Sequence, residues 1–231
     1  MTERPIETLH GDVRLEAMLV GAGAGPRPTV LIFPTIMGRS DLEMGFAHRL
    51  VAEGYTAVVA DLYGERGLPR EQCRGLMNAL LADRALLRER LLGVLETVRA
   101  QPEVGPVAAI GFCFGGLCAL DIARRGADVA GVASFHGLLA PSGLPPAPIS
   151  AKVIVFHGWD DPLAPPAHVE ALAAELTQAG ADWQLHAYGN VMHGFTNPNA
   201  ADPASGIQYD ETAARRSWAS LGDFLKECFA S

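Results

Sequence analysis

Three short stretches of the sequence carry side chains that together could break an acyl bond. Cys113 stands in GFCFGG, Asp161 in HGWDDP and His193 in MHGFTNP. A thiol becomes a strong nucleophile once a base removes its proton, and a histidine oriented by a carboxylate is a common base for this purpose. These residue types, in the chain order nucleophile, acid and histidine, predict nucleophilic catalysis.

The residues around Cys113 predict a sharp turn between a buried strand and a helix. An apolar run ends at Gly111, and the residues from Gly115 onward have helical spacing. Glycines permit such a turn, which would lift the sulfur above the sheet and place it beside a helix N-terminus. The helix dipole favours an anion there and lowers a thiol pKa. The same pattern also fits a buried structural cysteine, because free cysteines are often buried.

Asp161 and His193 are each ambiguous when taken alone. Asp161, directly before Pro162, is the residue that we expect to orient the histidine; Asp160 is the competing candidate, and either would also suit an ordinary turn. A lone loop histidine such as His193 is usually solvated. The coincidence of all three after successive strands favours a site, because strand ends meet at one edge of a doubly wound sheet. His136, which ends another predicted strand, is expected to line the same pocket.

The rest of the chain supplies the elements that must position these loops. Short β-rich runs alternate with segments of helical periodicity, which predicts an α/β fold: a doubly wound, mostly parallel sheet flanked by helices. The predicted strands cover residues 13–20, 29–33, 55–61, 106–111, 129–137, 151–158 and 183–189. The predicted helices cover residues 42–53, 71–99, 115–125, 166–179 and 212–229. Residues 13–20 are expected at a sheet edge, 21–28 in a hairpin loop and 71–99 in one helix or two, with Asp41 as the first N-cap.

Length, charge and cysteine spacing limit the classes of protein to consider. The 231 residues fit a single domain spanning 1–231. Eighteen Lys and Arg against 26 Asp and Glu argue against a nucleic-acid partner. The four cysteines follow neither zinc nor disulfide-framework spacing. The apolar run at 107–120 is too short to cross a membrane, and the first residues lack the apolar core of a secretion signal. We therefore expect a cytoplasmic protein without a metal or a membrane partner.

The same three motifs resemble those of the dienelactone hydrolase family of α/β-hydrolases. The stretch GYTAVVADLYGERG also resembles a family segment, and the resemblance runs roughly from Thr29 to Leu225. It implies the α/β-hydrolase fold and catalysis without a metal or an organic cofactor. The site residues that it implies are a triad of Cys113, His193 and Asp161 and an oxyanion hole made by the backbone N–H groups of Ile36 and Phe114.

Two positions depart from the pattern of family members that act on dienelactone. Thr35 replaces a glutamate that contacts the resting thiol, and Asn197 replaces an arginine that holds the substrate carboxylate. Arg70 or Arg74 is a candidate for the family's other carboxylate-binding arginine. We therefore expect a substrate different from dienelactone, with the thiol activated by the histidine and the helix terminus.

The predicted function is hydrolysis of small carboxylic esters or lactones through a thioester on Cys113. The residues expected to contact the substrate are Thr35, Met37, Tyr63, Phe112, Trp159 and Phe195. Two alternatives stay open. Cys113 could serve thiol redox chemistry or peroxide sensing, although no C-x-x-C motif is present and Cys118 is expected in the core. The chain could also be a catalytically silent domain that binds a small ligand.

Overall fold

The strands that carry the candidate loops form one continuous sheet. The computed structural model describes residues 1–21, 23, 25–145 and 147–230, and within these an eight-stranded sheet has the order β1-β2-β4-β3-β5-β6-β7-β8. Its strands are β1 (Thr2–His10), β2 (Val13–Gly21), β3 (Arg27–Phe33), β4 (Thr56–Val59), β5 (Val104–Phe112), β6 (Gly131–Phe135), β7 (Lys152–Gly158) and β8 (Trp183–Tyr188). A separate two-stranded ribbon pairs β9 (Ala201–Asp202) with β10 (Ile207–Gln208).

Helices cover both faces of this sheet. They are α1 (Asp41–Ala52), α2 (Arg70–Ala82), α3 (Arg84–Arg99), α4 (Phe114–Arg124), α5 (Pro166–Gln178) and α6 (Glu211–Phe229). Buried residues of α1 and α6 form a cluster on one face, and those of α2 to α5 form a cluster on the other. All strand pairs from β4 to β8 are parallel, whereas β2 is antiparallel to both of its neighbours. The predicted doubly wound, mostly parallel sheet is therefore confirmed.

The central strands are apolar throughout because both of their faces are covered. In β3, Leu31 and Phe33 join one cluster, while Val30 and Ile32 join the other. Successive side chains of a strand point to opposite faces, so each strand contributes to both layers of the core. This explains why these strands appear in the sequence as continuous apolar runs instead of alternating patterns.

The edge of the sheet differs from the prediction. Residues 13–20 were expected at the edge, but β1 pairs along the whole of β2 and takes the outer position. Only Ile6 and Thr8 of β1 are buried, because α3 covers a small part of this strand. Such a sparse apolar pattern resembles a polar terminal segment, which is why β1 was missed.

Two helix boundaries also differ from the prediction or go beyond it. Ser40, and not Asp41, is the N-cap of α1: its hydroxyl accepts the N–H of Leu42 at 3.3 Å, and Glu43 accepts the N–H of Ser40 at 3.1 Å. The segment 71–99 forms two helices, because Asp83 leaves the helical conformation and its carboxylate caps α3.

Four residues, Ala22, Ala24, Pro146 and Ser231, lie outside the described part of the chain. Two of them belong to the predicted loop 21–28, and Ser231 ends the predicted domain. Within the residues that the structure describes, no helix is both long enough and apolar enough to span a bilayer.

Candidate active site

Cys113 occupies a strained turn between β5 and α4. Its φ of 57° and ψ of -118° lie outside the regions that side-chain-bearing residues normally adopt. A Cβ at Gly111 would overlap the carbonyl of Gly115, and a Cβ at Gly115 would overlap the carbonyl of Phe33. Both glycines are therefore required for the close approach of strand and helix. The turn leaves the sulfur half-buried at the C-terminal edge of the sheet.

Two backbone N–H groups are directed at the Cys113 sulfur. One belongs to Phe114, the first residue of α4, and the other belongs to Ile36 in the loop after β3. The loop forms a tight turn in which Gly38 donates to the carbonyl of Thr35 at 3.0 Å. The buried carboxylate of Glu43 accepts the N–H of Thr35 at 3.1 Å and fixes the start of this turn. The N–H groups named for the oxyanion hole thus converge on the sulfur.

His193 and Asp161 lie beside Cys113 and interact directly. The Nδ1 of His193 is 2.7 Å from Oδ2 of Asp161, and the other carboxylate oxygen accepts the N–H of Leu163 at 2.8 Å. Both side chains are almost completely buried. With Nδ1 engaged, Nε2 is the nitrogen left to act on the Cys113 thiol, and it has no hydrogen-bond partner among the described residues. Asp160 is exposed instead, so only Asp161 of the two neighbouring aspartates reaches the histidine.

The electrostatics of the cluster favour a charge-separated pair. Burial opposes ionisation of Cys113, but the nearby charge of His193 and the two N–H groups hold the thiol pKa below its ordinary value. Burial likewise opposes protonation of His193, yet the Cys113 charge and the Asp161 hydrogen bond raise its pKa. The thiol is stabilised as its anion and the imidazole as its cation, which suits a thiolate–imidazolium pair.

The thiol pKa gives a testable pH dependence. Because the Cys113 pKa is lowered, we expect iodoacetamide to alkylate Cys113 rapidly at a pH where an ordinary thiol is still protonated. The alkylation rate should fall only when the pH drops below that lowered pKa. His193→Gln removes the favourable charge and leaves burial, so the alkylation midpoint should move upward by at least about one pH unit, roughly tenfold in the ionisation constant. The pH dependence of the alkylation rate, followed by mass spectrometry, measures this shift.

The exposed His168 provides the matched control, since His168→Gln should leave the midpoint unchanged. The three other cysteines are buried, and burial raises the pKa of Cys118 and raises that of Cys228 to about 12. They should therefore not compete for the reagent. An unchanged midpoint in His193→Gln would contradict the ion pair.

A cavity of about 670 Å³ opens beside the sulfur. Its wall includes the expected residues Thr35, Met37 and His136, together with Arg70 and Arg74 from α2. Further residues lining it, which the sequence did not suggest, are Leu42, Met77, Asn78, Leu138, Leu163, Ala200, Asp202, Ser205 and Ile207. Several come from the ribbon β9–β10, which holds the histidine loop: His193 donates its N–H to Gly206 at 2.9 Å. Such short strands have no recognisable pattern in a sequence.

His136 is packed against the candidate base. Its ring centroid is 5.1 Å from that of His193, and its Nε2 is 2.8 Å from the hydroxyl of Thr196. Burial, and then the charge of His193, hold the His136 pKa well below its ordinary value. A neutral His136 can therefore lie beside a protonated His193 without repelling it.

Four residues expected to contact the substrate do not line the cavity. Phe112 and Phe195 are fully buried in the core layer shared with α1 and α6, because strand alternation turns Phe112 away from the sulfur. Tyr63 lies behind the loop that carries Ile36, and Trp159 is exposed beside His157. The structure therefore places these four outside the wall of this cavity, and their contact with a substrate stays a prediction.

The fold and the site define the class of protein. The sheet order, the antiparallel β2, and the sharp turn between β5 and α4 are those of an α/β-hydrolase. A model of the dienelactone hydrolase family matches residues 15–229, and the chain therefore belongs to this family of hydrolases.

The chain is also similar to individual proteins and solved structures. An uncharacterized protein of Caenorhabditis elegans is 39% identical over 150 residues, which are 62% of this chain and 95% of the relative. The carboxymethylenebutenolidase of Pseudomonas putida is 28% identical over 193 residues, covering 79% of this chain and 81% of the relative. A solved structure, a dienelactone hydrolase-like promiscuous phosphotriesterase from metagenomic libraries, is 34% identical with a TM-score of 0.90, covering 98% of each chain.

Proposed function

We propose that the protein hydrolyses carboxylic esters or lactones, with Cys113 as nucleophile, His193 as general acid and base, and Asp161 as the residue that orients the histidine. The observation that carries the proposal is the convergence of the thiol, the Asp161-bound histidine and two backbone N–H groups at the wall of one cavity. Nucleophile, base and oxyanion donors are the complete set that acyl transfer requires.

The reaction follows from this arrangement in two halves. The Cys113 thiolate attacks the ester carbon, and the carbonyl electron pair moves to the oxygen, whose charge the N–H groups of Ile36 and Phe114 stabilise. Re-formation of the carbonyl breaks the bond to the leaving oxygen, which takes a proton from His193. A water then gives a proton to His193 and attacks the thioester carbon. Collapse of this second oxyanion releases the carboxylic acid and regenerates the thiolate–imidazolium pair.

The cavity wall suggests the class of substrate. Arg70 and Arg74 are one turn apart on α2, so their side chains share one face of the helix, and both line the cavity. Two guanidinium groups favour a substrate that carries a carboxylate. The carboxymethylenebutenolidase relative bears a name that denotes such an acid lactone. Because Asn197 stands where the family pattern has an arginine, we infer an anionic ester or lactone other than dienelactone.

The experiment that tests this function is turnover by the wild-type protein of paired short esters and lactones, each with and without a free carboxylate. We expect measurable hydrolysis, with kcat/KM at least about tenfold higher for the anionic member of a pair, the effect of one well-placed charged hydrogen bond. A rapid acid quench should reveal the acyl mass on the peptide that contains Cys113. Failure to hydrolyse any pair would contradict the proposal, and equal rates within pairs would contradict the substrate class.

A further inference from the structure

Tyr63 contacts both halves of the oxyanion hole from behind. Strands β3 and β4 are parallel neighbours, so the loops that follow them lie side by side at the same edge of the sheet. The Tyr63 hydroxyl donates a hydrogen bond to the carbonyl of Ile36 at 3.2 Å. Its ring is nearly parallel to that of Phe114, with the centroids 6.4 Å apart and an angle of 7°. Offset stacking at this separation is favourable for aromatic rings.

The loop that presents Tyr63 is itself held firmly. The carboxylate of Asp61 accepts the N–H of Tyr63 at 2.9 Å and that of Glu16 at 3.0 Å. The guanidinium of Arg90 donates to the carbonyl of Leu62 at 2.6 Å. Asp61 and Arg90 are both buried, so these bonds are shielded from water. The Tyr63 side chain therefore projects from a rigid support.

The hydroxyl fixes the part of the oxyanion loop that has few other restraints. The carbonyl of Thr35 is held by Gly38, and the N–H of Thr35 is held by Glu43. The next carbonyl, that of Ile36, accepts its hydrogen bond from Tyr63. Burial raises the Tyr63 pKa well above its ordinary value, so the phenol stays protonated and remains a donor.

The carbonyl of Ile36 belongs to the peptide that joins Ile36 to Met37, whereas the N–H of Ile36 lies in the preceding peptide, whose carbonyl Gly38 holds. Tyr63 therefore fixes Ile36 from its C-terminal side. If this bond is lost, the turn from Thr35 to Gly38 can shift and move the Ile36 N–H away from the oxyanion position.

We propose that Tyr63 is a positioning residue of the oxyanion hole: its hydroxyl holds the carbonyl of Ile36 and so fixes the turn that carries the Ile36 N–H, and its ring supports Phe114 at the start of α4. This proposal rests on the proposed ester hydrolysis by Cys113. In this role Tyr63 acts without touching the substrate, since it does not line the cavity. Its effect therefore reaches the reaction through the two N–H groups.

The kinetic test compares Tyr63→Phe with Tyr188→Phe. Tyr188 is the matched control because its buried hydroxyl has no hydrogen-bond partner among the described residues. Loss of a complete oxyanion donor typically costs 100- to 1,000-fold in kcat, so loosening one donor should lower kcat about 3- to 20-fold, with KM changed less than about twofold. Tyr188→Phe should leave both constants unchanged. An unchanged kcat in Tyr63→Phe would overturn the proposal.

Two further readouts distinguish positioning from a loss of stability. A trifluoromethyl ketone matched to the best substrate accepts the Cys113 sulfur at its carbonyl carbon, and its oxygen becomes the oxyanion. Its affinity for Tyr63→Phe should fall by the same factor as kcat/KM, while the product acid binds as before. Because the Ile36 N–H also stabilises the resting thiolate, the alkylation midpoint of Cys113 should rise by at least about 0.3 pH unit, a twofold change. A loss of kcat with unchanged ketone affinity and midpoint would overturn the proposal.

The alkylation measurement also separates this proposal from the proposed function, because it needs no substrate. If the wild-type protein hydrolyses no ester, the proposed function fails, and the midpoint alone decides the role of Tyr63. A raised alkylation midpoint in Tyr63→Phe, with the midpoint of Tyr188→Phe as in the wild type, would then support the role of Tyr63 in positioning the Ile36 N–H. An unchanged midpoint would overturn it.

Discussion

Cys113→Ala should abolish ester hydrolysis and lower kcat/KM by at least about a thousandfold, the scale on which the loss of a nucleophile acts in acyl transfer. The variant keeps the N–H groups of Ile36 and Phe114 and the His193–Asp161 pair, so it should still bind substrate. It cannot form the thioester. Residual activity would come only from water activated by His193 next to the oxyanion donors. Steady-state hydrolysis of the best ester of the panel measures the loss.

Cys228→Ala is the matched control for this prediction. Cys228 is a buried cysteine of α6, in the core layer opposite the cavity wall built by α2. The Cys228→Ala variant should lose some stability but keep its esterase activity. Esterase activity that survives in Cys113→Ala would contradict the role of the thiol. Reversible oxidation of Cys113 to a sulfenic acid, in a wild-type protein without esterase activity, would favour the redox alternative. Ligand binding without turnover or oxidation would favour the silent domain.

Asp161→Asn should lower kcat about 100- to 10,000-fold, because in related triads the amide stabilises the wrong histidine tautomer. In the native site a carboxylate oxygen accepts the proton of His193 Nδ1 at 2.7 Å, which leaves Nε2 for the sulfur. An asparagine can present its NH₂ group to Nδ1, and Nε2 then carries the proton and cannot accept another. The substitution also removes the buried negative charge that supports the imidazolium. The ratio of kcat to the wild-type value, measured near neutral pH, tests this expectation.

Asp160→Asn provides a control at the adjacent position in the chain. Asp160 is exposed, and within the described part of the chain its side chain forms no hydrogen bond or ion pair with His193. We therefore expect kcat to stay within about twofold of the wild type, as for most surface substitutions. Equal losses in the two variants would contradict the assignment of Asp161. Thermal unfolding of both proteins should accompany the kinetics, since Asp161 also accepts the N–H of Leu163 and its replacement weakens the loop.

Local patterns in the sequence were sufficient to predict the alternation of elements and the three loops that hold Cys113, Asp161 and His193. Continuous apolar runs predicted the central strands because these strands are buried on both faces, as Val30 and Leu31 illustrate. The glycines at 111 and 115 predicted the sharp turn at Cys113, since a side chain there would collide with backbone. Each of these signals lies within a few neighbouring residues, which is why the sequence alone contains it.

The sequence could not decide properties that depend on the placement of distant segments. Asp160 and Asp161 are neighbours of the same type, and only the packing of their loop against His193 buries one and exposes the other. Phe112 adjoins Cys113 in sequence, yet strand alternation turns the Phe112 side chain into the core layer shared with α1 and α6. Side-chain direction at a strand end is set by the register of the whole sheet, which no local motif reports.

The composition of the cavity wall likewise could not be predicted from local patterns. Its residues come from α2, the loops after β3 and β6, and the ribbon β9–β10, segments far apart in the chain. Tyr63 was expected at the substrate and lies instead behind Ile36, because β3 and β4 pair side by side. The sequence by itself determined which residue types meet the needs of nucleophilic chemistry and which strands end beside them. The tertiary structure decided which side chains face the cavity and which support it, because that depends on strand order and packing between elements.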